Sequence, residues 1–167
     1  GVQTNHPDLV NKLLPGYNFV NGNSNVMDVN GHGTHVTGIA AASINNNLGI
    51  AGIAPAARIL PVKALADNGS GISTNIANGI VYAANQGVQV INLSLGTTQD
   101  SLTIRNAIDY AINRGSVVVA AAGNNGANLL TYPAVYQNVL SVASTDENDQ
   151  RSSFSNYGTW VDVAAPG

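Results

Sequence analysis

The chain has 167 residues, 44% of them hydrophobic, enough for one compact domain with a sizeable core. Only 9% are charged and the formal net charge is −3, so no basic stripe is available for nucleic acid or an anionic membrane, and no apolar run approaches the roughly 18 residues of a membrane span. Cysteine is absent, which removes disulfides, thiolate nucleophiles and thiolate zinc sites while leaving the redox compartment open.

In chain order, Gly1 to Thr4 lacks the charged and apolar regions of a signal peptide. Asn18 to Asn30, rich in Asn and Gly and without periodicity, predicts a surface loop. Arg58 to Leu65 predicts a strand, and Ser73 to Gln86 a helix with Ile76, Ile80 and Ala84 at helical spacing. A second strand follows from Val88 to Leu95. The next helix, Ser101 to Arg114, places Leu102, Ile104, Ala107, Ile108 and Ile112 mostly on one face and is closed by Gly115. Ser116 to Ala122 is almost continuously apolar, as for a strand buried on both faces of a parallel sheet. Val139 to Ser144 and Trp160 to Ala164 predict a fourth and a fifth strand. This alternation implies βαβ crossovers and an open α/β sheet, which holds ligands at the carboxyl ends of its strands. Ser94 to Thr97 and Gly123 to Gly126 fall at such ends. There is no internal repeat and no linker.

The sharpest motif is Asn30-Gly31-His32-Gly33-Thr34-His35-Val36-Thr37-Gly38. A lone histidine in a polar turn would be structural, and a pair three apart could be half of a metal site, but no carboxylate or third histidine stands close in sequence to complete one. The nine residues together resemble the histidine motif of subtilisin-like serine proteases, the subtilase or peptidase S8 family, in its thermitase-like branch. The resemblance implies that His32 is the general base, with flanking glycines that leave room for substrate, and that His35 is structural, hydrogen-bonded behind it. Val117-Val118-Val119-Ala120-Ala121-Ala122-Gly123-Asn124 is a second likeness, in which Asn124 donates its amide to the oxyanion. Outside that context, Gly-Asn would be an ordinary turn.

Further roles follow from the resemblance. Ser94-Leu95-Gly96 and Gly69-Ser70-Gly71 would pair with an extended peptide from its two sides. Leu95, Ile76 and Leu65 would line an apolar subsite that Ser73 leaves open, and Thr131 would form the base of the P1 pocket. Asp8 and Asn46 side chains with the carbonyls of Ile44, Leu48 and Ile50 resemble a strong Ca²⁺ site, missing one ligand from a preceding segment. Ala134, Tyr136 and Val139 carbonyls with Asp162 resemble a weak cation site. A further calcium site of thermitase-like relatives is weakened here, because Asn18, Asn21, Asn23, Asn25 and Met27 stand where acidic side chains are needed and Asp28 alone does not restore it.

The family's chain order is Asp, His, Ser. Gly1 matches the last glycine of the Asp motif, and the serine motif belongs beyond Ala165-Pro166-Gly167. The expectation is therefore a subtilisin-like three-layer α/β fold with a mostly parallel sheet, of which residues 1–167 are the central part, inactive alone. The implied protein is a secreted, monomeric serine endopeptidase acting on proteins or peptides, with no nucleic-acid or membrane partner. Two other classes are weighed against it: a catalytically dead binding relative, which retention of His32 and Asn124 disfavours, and a nucleotide-binding domain, for which no Gly-rich phosphate loop exists.

Overall fold

Helix α3 (Leu102–Asn113) follows its sequence closely. Ser101 at the N-cap has extended backbone, and its hydroxyl accepts the Ile104 N–H at 3.4 Å, satisfying a donor that every helix leaves unpaired at its start. Ile104, Ala107, Ile108 and Ala111, at i, i+3, i+4 and i+7, are buried. Leu102 lies off that stripe and is 67% exposed. Beyond the helix Gly115 takes a φ of 92°, the left-handed conformation that glycine adopts freely at helix ends. Ile108 has no exposed surface, and truncating it to alanine would cost about 2–5 kcal/mol.

The computed structural model describes residues 1–167. Its elements are β1 (Tyr17–Asn18), α1 (His32–Ala41), β2 (Val62–Lys63), α2 (Ser73–Asn85), β3 (Val90–Leu93), α3, β4 (Val117–Ala121), β5 (Val139–Thr145) and β6 (Val163–Pro166). They fall into two compact units, Gly1–Gly79 and Ile80–Gly167, the division lying within α2. No helix is long and apolar enough to cross a membrane.

In the first unit β1 and β2 pair in parallel, Tyr17 opposite Val62 and Asn18 opposite Lys63. The strand expected over residues 58–65 is reduced to two residues and an isolated bridge from Ile59 to Leu13. Pro61 explains the break: it has no N–H to give, and only its carbonyl joins the pairing, accepting from Tyr17. Val2, Leu9 and Ala42 form a small core with Leu13 against it. The loop after α1 is laced back to the helix by Ile53 and Ala54 N–H groups on the carbonyls of Ile39 and Ala40. Asn18 departs from the surface loop expected over residues 18–30, being part of β1 and 1% exposed.

The second unit is a four-stranded parallel sheet in the order β3-β4-β5-β6. The helix α3 joins β3 to β4 and packs on β4. The connections from β4 to β5 and from β5 to β6 contain no helix, so the alternation expected from sequence stops after β4. The apolar run of β4 is buried on one face only: Val118 and Ala120 are buried, whereas Val117 is 53% exposed. Val90, Leu140 and Val163 are exposed as well. The last strand begins at Val163 rather than Trp160 because Asp162 is bonded to Ser141 through both its N–H and its carboxylate, and ladder pairing starts one residue later at Val142 opposite Val163.

Candidate functional site

His32 is the first residue of α1 and is exposed. The N-cap before it is Gly31, whose φ of 95° excludes most side chains and which therefore has no side chain with which to cap the helix. Asp28 does that work from three residues upstream. Its Oδ1 accepts the N–H groups of Asn30 at 3.0 Å and Gly31 at 2.9 Å; its Oδ2 accepts the Thr34 N–H at 2.8 Å and the Thr34 hydroxyl at 2.7 Å. Burial acts to raise the Asp28 carboxyl, but the hydrogen bonds from Thr34 and Gly31 outweigh it and hold the group below the usual carboxylate range. Gly33 is required for clearance, since a Cβ there would lie 2.1 Å from the Gly1 carbonyl oxygen. These are tighter reasons for the two glycines than room for substrate. His35 differs from expectation: its side chain is exposed onto a cavity of about 520 Å³ also lined by Asp8, Asp28 and Ile50, and makes no hydrogen bond behind His32. His6 is structural, its Nδ1 accepting the Asp8 N–H at 3.2 Å.

In the second unit Asn124 is exposed at the end of β4, just after Gly123 with a φ of 103°. A cavity of about 260 Å³ lies at the carboxyl ends of the strands and is lined by Ser94, Gly123, Asn124, Ser144, Ser155 and the last residues of β6, the place where open parallel sheets keep ligands. Ser94 and Asn124, picked separately from sequence, thus meet on one cavity. Ser94-Leu95-Gly96 carries no backbone hydrogen bond of its own, while the next residue, Thr97, is pinned in both directions to Tyr132. A Cβ on Gly96 would come within 2.7 Å of Thr131 Cγ2, so Thr131 and Gly96 also adjoin. Thr131 is buried and precedes the cis peptide between Tyr132 and Pro133.

In the first unit Gly69 has a φ of 82° in a turn closed by the Ala66 N–H on the Ser70 carbonyl at 2.8 Å. Gly71 runs so close to Leu65 that a Cβ would lie 2.4 Å from its side chain, and its own N–H and C=O make no backbone bond. Lys63, buried beneath, donates to the Met27 carbonyl at 2.8 Å and pairs with Asp67.

Of the residues assigned to calcium, Asn46 and Ile50 bond to Asp8, and the Leu48 N–H donates to Asn46 Oδ1 at 3.1 Å. The Asp8 carboxylate is 3% exposed, and its partners are neutral: Asn46 Nδ2 at 2.7 Å and the Ile50 N–H at 3.3 Å. Asn45, Asn47 and Gly49 alternate in the left-handed region with φ of 60°, 57° and 48°, curling residues 44–50 about it. A Cβ on Gly49 would lie 2.4 Å from Asp8 Oδ2. A buried carboxylate answered only by neutral donors fits a hard cation as its counter-charge; the Asn46 amide would have to turn its oxygen inward, away from the Leu48 N–H. The Asp162 set fits less well. Its Oδ2 is committed to the Ser141 N–H at 2.8 Å and hydroxyl at 2.7 Å, which hold the carboxyl below its usual range, and the Tyr136 carbonyl accepts from Val139. Around Asn18 the loop supports itself: Nδ2 donates to the Asn25 carbonyl at 2.8 Å, and Oδ1 accepts the N–H groups of Val20 at 2.9 Å and Asn21 at 3.0 Å.

This combination of a parallel α/β sheet, a histidine opening a helix and an asparagine at a strand end is that of the subtilases. The chain belongs to the Subtilase family, Peptidase_S8, whose profile matches residues 1–167. It is 58% identical to the thermitase of Thermoactinomyces vulgaris over 167 residues, all of this chain and 60% of that protein. It is equally 58% identical to a thermophilic serine proteinase of Bacillus sp. (strain AK1), of which it covers 42%. Among solved structures, a cold adapted subtilisin-like serine proteinase superposes with a TM-score of 0.91 at 36% identity, over 100% of this chain and 60% of that one. The chain thus spans between 42% and 61% of the length of these curated relatives and others like them.

Two residues of the site have no role in the reading from sequence. Asp28 was weighed only as a cation ligand, although Asp-x-Asn-Gly with a threonine six positions on is a local capping signal. Asn156 has no local signal, because its partners lie about 30 residues away.

Proposed function

We propose that residues 1–167 are the central part of a single subtilase catalytic domain, and that the complete protein is a serine endopeptidase acting on proteins or peptides through an acyl-enzyme. The observation that carries this reading is the family match along the whole chain. In it, His32 takes the proton of a serine hydroxyl and returns it to the leaving amine, while Asn124 donates its side-chain N–H to the oxyanion. The nucleophile and the carboxylate that orients His32 come from parts of the domain outside residues 1–167. Segments 69–71 and 94–96 pair with extended substrate, a role supported by the free backbone groups of Gly71 and of residues 94–96. Thr131 limits the depth of the P1 pocket.

Asp8 and Asn46 side chains, with Ile44, Leu48 and Ile50 carbonyls, hold a structural calcium that supplies the counter-charge Asp8 lacks. The self-bonded Asn18 loop, with neutral amides in place of carboxylates, contributes little to calcium binding. The Ala134, Tyr136, Val139 and Asp162 set is at most a weak cation site. Secretion and a monomeric state enter this reading through the family alone. The test is to express the complete gene and assay a peptide anilide beside its His32→Ala variant. Hydrolysis that His32→Ala abolishes supports the reading, as does residues 1–167 alone showing no activity above their own His32→Ala control. A complete protein with no activity, yet folded and binding peptide, would make it a dead binding relative instead.

A further inference from the structure

The turn that presents Asn124 is built on a residue far away in sequence. Asn156 has no exposed surface. Its Oδ1 accepts the N–H of Asn125 at 2.9 Å and of Ala127 at 3.4 Å. Its Nδ2 donates to the Thr131 hydroxyl at 2.9 Å, with the Leu129 carbonyl and Asn125 Oδ1 both at 3.5 Å. The orientation of this amide is forced, because reversing it would set an NH₂ against two N–H donors. Its backbone N–H donates to the Gly123 carbonyl at 2.9 Å. The two residues flanking Asn124 are therefore both tied to Asn156, and the side chain extends the same hold to Thr131.

Asn156 is itself fixed from behind. The Ser152 N–H donates to the Ser144 carbonyl at 2.9 Å, and the Ser144 N–H to Ser155 Oγ at 2.9 Å, which anchors residues 152–155 to β5. Gly126 and Tyr157 N–H groups add bonds to the carbonyls of Phe154 at 2.7 Å and Ala127 at 3.1 Å. Gly123 completes the fit, since a Cβ there would lie 2.6 Å from Asn156 Nδ2 and 2.8 Å from the Thr131 hydroxyl oxygen. A small exposed side chain such as Asn124, on a strand-end turn with no bond of its own, depends on its neighbours for aim. An oxyanion donor must be aimed before the charge forms.

We infer that Asn156 is a positioning residue for catalysis: its buried amide fixes the Gly123–Thr131 turn so that Asn124 meets the oxyanion. The inference rests on the proposed role of Asn124. It deepens that role by assigning a residue that never touches substrate.

The experiment is a double-mutant cycle in the complete protease, with Asn124→Ala, Asn156→Ala and the pair measured for kcat and KM on a peptide anilide. Asn156→Ala is expected to lower kcat about 10–100-fold, the scale of misplacing a catalytic group, with KM within about twofold. In the Asn124→Ala background the same change is expected to cost less than about twofold, because the donor it aims is gone. Should Asn156→Ala not accumulate as folded protein, Asn156→Ser, which removes the amide but keeps one polar atom, carries the same comparison. An equal loss of kcat in both backgrounds makes Asn156 merely structural and overturns the inference, as does no loss in either. If Asn124→Ala alone leaves kcat unchanged, the oxyanion reading falls first and takes this one with it, an outcome read from the single variant.

Discussion

Two turns carry the proposed chemistry, one in each compact unit, and they are held by opposite means. The histidine turn is held by charge from close by: Asp28, four residues before His32 and partly exposed, accepts four hydrogen bonds from residues 30–34. The asparagine turn is held by a neutral amide from far away, Asn156 lying 32 residues beyond Asn124 and wholly buried. Each choice suits its surroundings. A carboxylate at the surface keeps part of its hydration and gains strong charge-assisted bonds. The same charge inside the second unit would be desolvated without a cation to meet it, whereas an amide supplies donors and acceptors together at no cost in net charge. The first unit repeats its preference at Asp8, and the consequence is that acid should loosen the histidine turn and spare the asparagine turn, while a chelator should act at Asp8 and leave the asparagine turn unchanged.

The largest expected effect lies in the second unit. Asn124→Ala in the complete protease should lower kcat about 10²–10³-fold with KM little changed, a magnitude taken over from subtilisin itself rather than derived from this chain. The loss should be the same with calcium or chelator present at a temperature where the protein stays folded, because the neutral turn does not depend on the cation. A loss that grows on chelation would break the contrast between the units. Calcium removal comes next. At a hundred times its Kd, calcium would stabilise by about 2.7 kcal/mol, so EDTA should lower the melting temperature clearly, Asp8→Asn should remove most of that sensitivity, and Asn23→Ala should leave it intact. Thermal melts of the three proteins with and without EDTA decide it; the reverse pattern would move the cation to the Asn18 loop. Specificity is a smaller effect still. With Thr131 buried and proposed as the base of the P1 pocket, Leu at P1 should exceed Trp in kcat/KM, side-chain fit in such pockets being worth about 1–3 kcal/mol, and a higher value for Trp would show that the base is not where Thr131 stands.

What could be read in advance divides along the same line. The sequence-local features α2, α3 and the apolar β4 were legible because spacing and caps write them into consecutive residues, and β3 and β5 followed from the same alternation. The strand over residues 58–65 and the start of β6 were misplaced because Pro61 and the Ser141–Asp162 bonds decide them, and the second of these is a tertiary partnership. The burial of Asn18 was hidden in a run of similar residues, only one of which turns inward to tie the loop. His32 and Asn124 stood out through their motifs, and Asp28 had a readable capping signal. Asn156 did not, since nothing in Ser155-Asn156-Tyr157 announces a partner at Asn125 or Thr131.

The smallest expected effect tests the charged half of the comparison. Asp28 serves α1 as an N-cap side chain would, accepting the Thr34 N–H at 2.8 Å because Gly31 at the cap has none to offer. Replacing a capping side chain by alanine costs about 0.5–2 kcal/mol, so Asp28→Ala should lower stability by that much. Its hydrogen bonds depress the Asp28 carboxyl in the folded state, so its contribution is full above the ordinary carboxylate value and is lost as pH falls through the lower folded value. The stability difference between wild type and Asp28→Asn, measured by urea unfolding, should therefore be constant from pH 7 to pH 5, about one unit above the free carboxyl, and shrink only below pH of about 4. Asn156→Ala, whose amide does not titrate, should show a difference from wild type that does not change over the same range. If the two variants respond alike to acid, the histidine turn is not held by the Asp28 charge, and the two units do not differ in the way their hydrogen bonds indicate.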